Sequence, residues 1–600
     1  MISLKTVKMF LPMFLLIFIF NCYGNDYNDQ LGFSTYLGSN NRDWISDICL
    51  DEQGNVYVTG STESSNFPIT PGKLKDRFSG TGRDVFIAKF NKTGELLFST
   101  LLGGNNYDTD CQIEIDRNRD IIIAGVTNST DFPVTDNSYL NALQGGFDIF
   151  VTKINAVCDT ILFSTYLGGS DEDRHPMLAL DDSGNIYIAG PTLSSDFPTT
   201  ENGYDREYDG MSEYYGDIYI CKLDPNGEQL LYSSFIGGEK DETVFGIDVD
   251  AGGIVYLTGY TESNEFPFTH QIFGSNYSNI LPNTNDAFLL ALDCRNPEIL
   301  FSTIFGGNAN EQGQEIYVNE HGDIFISGTT SSDNFPVTRG SFDETYNGGS
   351  NSGDIFVSKF NNSGQELIYS TYVGGTADEG RSDLTIDAAG NVLVGGGTSS
   401  VDFPFTKNAI DSIYNGGDEA FAYRDAFFFV LNSAGNELLY STFLGGKGDD
   451  NVFRLQVIDQ GSVYVGGLTT SSDFPMTSEA YDNRHNGNWD AFLLNLNPTY
   501  VTSLMPEQKT KLEKFNLNQN YPNPFNAETK ISYSIPTSDF ITLKIYDTLG
   551  KETSTLVNEF QKANTYSVNF DSINLSSGVY FYRLQVGNDF VETKKMLFLQ

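Results

Sequence analysis

Along the first five hundred residues, apolar side chains alternate with polar ones in short runs rich in β-branched and aromatic residues. That period of two predicts strands. The stretch from Phe163 to Leu231 shows the unit. It opens on Phe163-Ser164-Thr165-Tyr166-Leu167-Gly168-Gly169, passes an acidic step and runs from Leu178 to Gly190. It continues through Asp196-Phe197-Pro198 and a loop into Asp217–Leu223. Four strands joined by turns make one antiparallel sheet.

The unit recurs. Its opening triplet falls at Phe33, Phe98, Phe163, Tyr232, Phe301, Tyr369 and Tyr440, and a Phe-Pro pair follows 34 residues later in every copy, at Phe67, Phe132, Phe197, Phe266, Phe335, Phe403 and Phe474. An Asp opens each third strand: Asp84, Asp148, Asp217, Asp286, Asp354, Asp425 and Asp490. Seven such units at a period of 65 to 71 residues predict an all-β, seven-bladed β-propeller with four-stranded blades. An open solenoid is the rival. Against it, a lone Phe33-Ser34-Thr35 strand precedes the first unit and none follows Asp490–Leu494. The N-terminal strand is therefore expected to complete the last blade and remove the free edges.

Six hundred residues exceed one ordinary core. Residues 1–24 read as a secretory signal peptide, with Lys5 and Lys8 before an apolar run from Met9 to Phe20. No later run is long and apolar enough for a transmembrane helix. The propeller is placed at 25–498, a polar linker at 499–515 and a small β-sandwich at 516–600, where strands of period two surround an Asn520-Tyr521-Pro522-Asn523-Pro524 start. Charge sharpens this division: residues 501–600 hold 10 Lys/Arg and 10 Asp/Glu, so the net −44 lies entirely in the first 500. Such a surface repels phosphate backbones and anionic lipid heads and excludes nucleic acid as a partner. Cys49, Cys111, Cys158, Cys221 and Cys294 are odd in number and scattered, and read as buried strand or turn residues.

Candidate chemistry concentrates on one face. The length of the loop between second and third strands varies, from 16 or 17 residues after the Phe-Pro pair in blades 1, 2 and 7 to 22 in blade 6. Variation on one rim of a rigid scaffold marks a binding face. The loops carry aromatics among small polar residues, and Tyr208, Tyr214, Tyr215 and Trp489 are the candidates for stacking on a sugar. An acid precedes each inner strand: Asp43, Asp108, Asp173, Glu242, Glu311, Glu379 and Asp450. In a closed ring these seven would surround the channel mouth as a cation site, with calcium the fitting ion; Asp171 and Glu172 beside Asp173, and Asp449 beside Asp450, are its first candidate ligands. The competing reading is a carboxylate that caps backbone N–H groups at each inter-blade turn. Strict repetition favours the cap, because a ligand site is usually asymmetric. The four histidines occupy different repeat positions, so no catalytic triad or zinc constellation can be read.

The repeat resembles the SBBP family of bacterial β-propeller repeats, most clearly at Tyr369–Gly375, Asp387–Thr398, Asp402–Pro404 and Asp425–Phe428. The family implies the fold and no agreed activity. The C-terminal stretches Leu543–Asp547, Gly578-Val579-Tyr580 and Thr593-Lys594-Lys595-Met596 are similar to the type A sorting domain of the type IX secretion system. That resemblance implies export through the outer membrane, with Gly578, Tyr580, Lys594 and Lys595 in the sorting signal. The expectation is a secreted or surface-attached monomer that binds a glycan or a protein, is not an enzyme and requires no cofactor. A polysaccharide hydrolase or lyase on the same scaffold is the alternative, and a passive surface-layer protein the third reading.

Overall fold

The computed structural model describes residues 30–498 and 515–599, apart from 76, 79–81, 211–213, 270–272, 275–283, 417–424 and 459–460 in the first part and 521, 527, 536–538, 562–563, 572–575 and 588–589 in the second. The signal peptide at 1–24 and almost all of the 499–515 linker lie outside the described residues. The chain divides into two compact units, Met1–Tyr500 and Val501–Gln600. Every regular element among the described residues is a strand.

In the first unit, blade 1 runs from the inside outward as Asp43–Leu50, Val56–Thr62, Asp84–Phe90 and Leu96–Leu102. Six further antiparallel sheets repeat this order, with inner strands Asp108–Ile115, Met177–Leu180, Glu242–Val249, Glu311–Val318, Glu379–Ile386 and Asp450–Val457. Each inner strand packs on the next, and that of blade 7 packs on that of blade 1, so the ring is closed. Leu31–Leu37 forms the outer strand of blade 7, with Tyr36 opposite Phe492. The Tyr36 hydroxyl donates to the Ser471 carbonyl at 2.7 Å. Two blades depart from the repeat. Blade 4 gains a fifth strand, Phe273–Gly274, parallel to Glu298–Gly306. Blade 3 has an inner strand of only 4 residues, because Pro176 ahead of it offers no N–H to the ladder.

The constant residues of the repeat hold each blade together. The Phe of every Phe-Pro pair is buried against an aromatic ring of the third strand. It is stacked in five copies, such as Phe67 on Phe86 at 4.7 Å, Phe132 on Phe150 at 4.4 Å, Phe197 on Tyr219 at 4.6 Å and Phe335 on Phe356 at 4.6 Å, and tilted in Phe266 on Phe288 and Phe474 on Phe492. All five described cysteines are buried and free.

In the second unit, Asn516–Leu517, Glu528–Ile535 and Asn564–Asp571 form one sheet, and Glu552–Gln561, Asp539–Tyr546, Gly578–Val586 and Phe590–Phe598 the other. They share one core, with Ile531 and Tyr533 of the first sheet packed among Ile541, Leu543, Tyr582 and Met596 of the second. The residues expected in the sorting signal lie on one hairpin: Gly578 faces Phe598, Tyr580 faces Met596, and Lys594 and Lys595 face Tyr582 and Phe581.

Candidate functional site at the channel mouth

Six of the seven inner strands bulge two or three residues after the leading acid. In blade 1, Ile45 pairs with Gly60 and Asp47 with Thr59, which leaves Ser46 as an extra residue. The same shift leaves Phe245 in blade 4, Gln314 in blade 5 and Phe453 in blade 7. Blades 2 and 6 carry wider bulges that contain Asp110 and Arg381. In blade 3 the break between the Asp173–Thr192 bridge and Met177 contains His175. A bulge re-aims its side chain, and it needs a slim partner opposite. A Cβ on Gly60 would lie 1.9 Å from the Trp44 carbonyl oxygen, and the other six blades also have glycine at this position.

Ser46, Asp110, His175, Phe245, Gln314, Arg381 and Phe453 all line one cavity of about 420 Å³ at the inner end of the blades, joined by Trp44, Gln312 and Ser352. That volume falls in the range of small-molecule sites. Ser352 comes from a second-to-third loop, so the cavity opens on the face where loop length varies. Three of its residues are strained: Asp110, His175 and Arg381 have φ of 50°, 45° and 55°. Non-glycine residues in this region cost of order 1–3 kcal/mol each and cluster at functional sites. His175 Nδ1 lies 3.4 Å from Asp110 Oδ2. The Arg381 guanidinium lies over the Phe453 ring at 4.9 Å. Ser382 donates its N–H and hydroxyl to Gln314 Oε1 at 2.7 and 3.0 Å, which orients that amide. By blade order, Arg381 stands across the ring from Asp110 and His175, and Phe245 across from Phe453.

One residue closes the floor. Arg454 reaches across the channel to Asp47 at 3.1 Å, Glu315 at 2.9 Å, Asp383 at 3.1 Å and Gln112 at 3.0 Å, so a single guanidinium ties blade 7 to blades 1, 5, 6 and 2. Burial raises the pKa of Asp47, Glu315 and Asp383, and the charge of Arg454 opposes that rise. Beneath lies a smaller cavity of about 180 Å³, where burial pushes Glu114 up to about 8 and Asp248 up to about 6.

The seven leading acids stand elsewhere. All are buried between blades and none lines the cavity, which corrects their expected place around the channel mouth. Each serves its own blade: Asp108 accepts from Thr127, Ser129 and the Gly104 N–H, and Glu311 from Thr330 and the Gly307 N–H. Each also faces the third-strand Asp of the preceding blade across a glycine. A Cβ on Gly374 would meet Asp354 Oδ1 at 2.5 Å and Glu379 Oε2 at 2.6 Å. Burial, reinforced by the facing carboxylate, pushes Asp108 and Asp173 up to about 7 and Glu242, Glu311 and Glu379 up to about 8. Asp43 rises to about 6 and Asp450 to about 7, again mainly by burial. Among the described residues, no group of three His, Cys, Asp or Glu is placed to hold a metal ion. Glu172 is held by Arg174.

The candidate aromatics divide. Tyr215 approaches the site, with its ring 6.4 Å from His175 and 6.3 Å from Tyr260. Trp489 packs edge-on against Trp44 at 6.3 Å beneath the Arg42 guanidinium at 4.4 Å, one layer behind the cavity wall. Tyr208 packs on Phe235 at 5.7 Å under its loop, which corrects its expected exposure. Tyr214 is 76% exposed on the rim, away from the cavity. Sequence reasoning missed the bulge residues. Their signal is a position two or three residues after each acid that changes chemistry from blade to blade.

Two family models match the chain, one in each unit. Residues 32–68 match the beta-propeller repeat family SBBP, and residues 519–598 match the secretion system C-terminal sorting domain. No curated protein matches the chain in sequence. Among solved structures, a polysaccharide lyase of family PL25, an ulvan lyase, is 12% identical with a TM-score of 0.36 and covers 74% of this chain and 89% of its own. PorZ, a surface component of the type IX secretion system of Porphyromonas gingivalis, is 11% identical with a TM-score of 0.15 and covers 93% and 81%. Likenesses this distant say nothing of activity. The sorting domain directs the protein to the type IX machinery, and the chain is a β-propeller protein destined for secretion and the cell surface.

Proposed function

We propose that the channel mouth binds a glycan and that the protein works at the cell surface as a monomeric, non-catalytic binding scaffold. The carrying observation is the bulge position. Seven similar blades bring Ser46, Phe245, Gln314 and Phe453, three residues after the leading acid, and Asp110, His175 and Arg381, two residues after it, to one cavity, so the scaffold recurs and the chemistry does not. Aromatic faces at Trp44, Phe245 and Phe453 suit the apolar faces of a sugar ring, while Gln314, Gln312 and Ser46 suit its hydroxyls. Binding requires no cofactor in this reading, because the leading acids are occupied by their own blades. The test is a polysaccharide array probed with the full chain, with calcium and with chelator. Selective binding in both buffers, lost in Phe245→Ala/Phe453→Ala, supports the reading. A protein ligand gains weight if no glycan binds.

The Asp110–His175 contact favours a second reading, a hydrolase or lyase acting on polysaccharide, because a carboxylate that orients an imidazole is the arrangement of an acid–base pair. Release of reducing or unsaturated ends by the parent, absent in His175→Ala, would replace the binding role with this one.

A further inference from the structure

We infer that the junction between blades 7 and 1, where the ring closes, is a second binding site and takes a neutral sugar residue. The site is a pocket of about 470 Å³, within the range of small-molecule sites, and none of its residues lines the channel mouth. Its walls are the connection Gly38-Ser39-Asn40 and the second-to-third loops of the two blades, which supply Asn66, Tyr481 and Asp482.

The pocket exists because this junction departs from the other six. At five of them the backbone N–H three residues before the leading acid donates to the side chain just ahead of Phe-Pro. These bonds run from Asn105 to Asp131 at 2.9 Å, Ser170 to Asp196 at 2.8 Å, and Asn308 to Asn334, Thr376 to Asp402 and Lys447 to Asp473 at 2.9 Å. Between blades 3 and 4 the bond runs the other way, from the Asn264 N–H to Glu239 at 3.4 Å. This clasp needs a glycine one residue earlier. A Cβ on Gly104 would lie 2.6 Å from Asp131 Oδ1, and one on Gly446 2.5 Å from Asp473 Oδ1. All six clasped junctions have glycine there, and the seventh has Ser39. Its Cβ takes the space the clasp requires. Ser39 and Asn41 still donate their N–H groups to Asp43 and Ser64 at 2.8 and 3.0 Å, so the entry to the inner strand is kept. Among the described residues no hydrogen bond joins Asn40 to Asn66, and both stay exposed.

The open junction offers the chemistry of an uncharged, hydroxylated ring. Tyr481 is 43% exposed and is held edge-on by Phe90 at 6.1 Å, so an aromatic surface is fixed in place for the apolar face of a sugar. The amides of Asn40 and Asn66 each carry donors and an acceptor, which meet hydroxyl groups in either direction. Asp482 is oriented by the Arg484 N–H at 2.9 Å and by Asn486 Nδ2 at 2.7 Å. It is the charged residue of the lining, and its carboxylate accepts from hydroxyls while it repels an anionic sugar.

The experiment is calorimetric titration of the full chain with glucose, galactose, mannose and galacturonate. The parent is compared with Phe245→Ala/Phe453→Ala, which removes the channel mouth, and with Ser39→Gly/Asn66→Asp, which installs the clasp of the other junctions. Both of the latter replacements are residues the repeat already uses at those positions, so the Tm of that variant should not fall. The mouth variant should still bind at least one neutral sugar, and more tightly than galacturonate. Adding Ser39→Gly/Asn66→Asp to it should weaken that binding about tenfold or more. Tyr481→Leu, which keeps an apolar contact with Phe90 and removes the flat face, should weaken it as well. If the parent binds a sugar and the mouth variant binds none, the junction site is overturned and the channel reading stands. Neutral-sugar binding in the mouth variant that survives the installed clasp also overturns it. Tighter binding of galacturonate overturns the neutral assignment. If no form binds any of the four sugars, the junction site is overturned, and the polysaccharide array decides the channel reading separately.

Discussion

Arg454 is the residue whose replacement tests the closed ring most sharply. Its side chain is 17% exposed and makes ion pairs with three carboxylates that are themselves 5 to 16% exposed, each from a different blade. Arg454→Met keeps the apolar stem and leaves Asp47, Glu315 and Asp383 without a counter-charge. Breaking a buried pair from one side costs about 3–5 kcal/mol. The low end applies here, because the floor of an open cavity admits some water. Unfolding entropy near 2.1 cal/mol/K per residue, over roughly 470 residues, makes ~1 kcal/mol worth ~1 °C, so Tm should fall by about 3 °C at neutral pH. The pH dependence identifies the cause. Losing the guanidinium raises the folded-state pKa of the three carboxyls further above the unfolded value. Stability from such groups is fully present below the unfolded pKa and is lost as pH rises through the folded one. The penalty should therefore be small near pH 5 and grow toward pH 8. Scanning calorimetry of parent and variant across that range measures it. A variant as stable as the parent at pH 8, or a penalty constant with pH, would refute the argument.

Three other outcomes follow from the same geometry. Deleting Leu31–Leu37 removes four buried apolar side chains, Leu31, Phe33, Tyr36 and Leu37, worth about 1.5–3 kcal/mol each, and strips blade 7 of its outer strand; cooperative unfolding in denaturant should shift far downward, and an unchanged midpoint would break the ring-closure account. The parent protein should lose stability from pH 5 to pH 8.5, because the blade-boundary carboxyls are raised from near 4 to about 6 in Asp43 and Asp490, about 7 in Asp217 and Asp354, and about 8 in Glu379 and Asp425, so the folded state gives up protons over that range that the unfolded state has already lost; a Tm that rises with pH contradicts the pairing. Calcium added at millimolar concentration should leave Tm unchanged, and a rise that vanishes in Asp173→Asn would make the leading acids a cation site after all.

The fold was legible because it repeats. Seven copies of Phe-Pro, each 34 residues after its opening triplet, announce seven blades, and each Phe packs on an aromatic ring of its third strand, as in Phe197 on Tyr219. Ring closure was legible from Phe33-Ser34-Thr35 standing alone. The site was not, for a physical reason. A bulge is a property of register, and nothing at Asp110, His175 or Arg381 marks the strand as one residue too long. The glycine opposite them is the visible trace, but glycine in a strand has several uses. The loop aromatics drew attention because tyrosine and tryptophan suit sugars. Tyr208 is instead taken up by packing on Phe235, Tyr215 stands beside His175, and Trp489 stands behind the cavity wall. The leading acids followed the opposite logic: what recurs in all seven blades serves the scaffold. That criterion, applied two or three residues further along, separates the functional ring from the structural one.

The most direct measurement compares glycan retention by the full chain, by Phe245→Ala/Phe453→Ala at the channel mouth and by Tyr214→Ala on the rim, on one polysaccharide array. The account predicts that the mouth variant loses binding at least tenfold and the rim variant binds like the parent. Full retention by the mouth variant with loss in the rim variant would move the site out of the channel and contradict it.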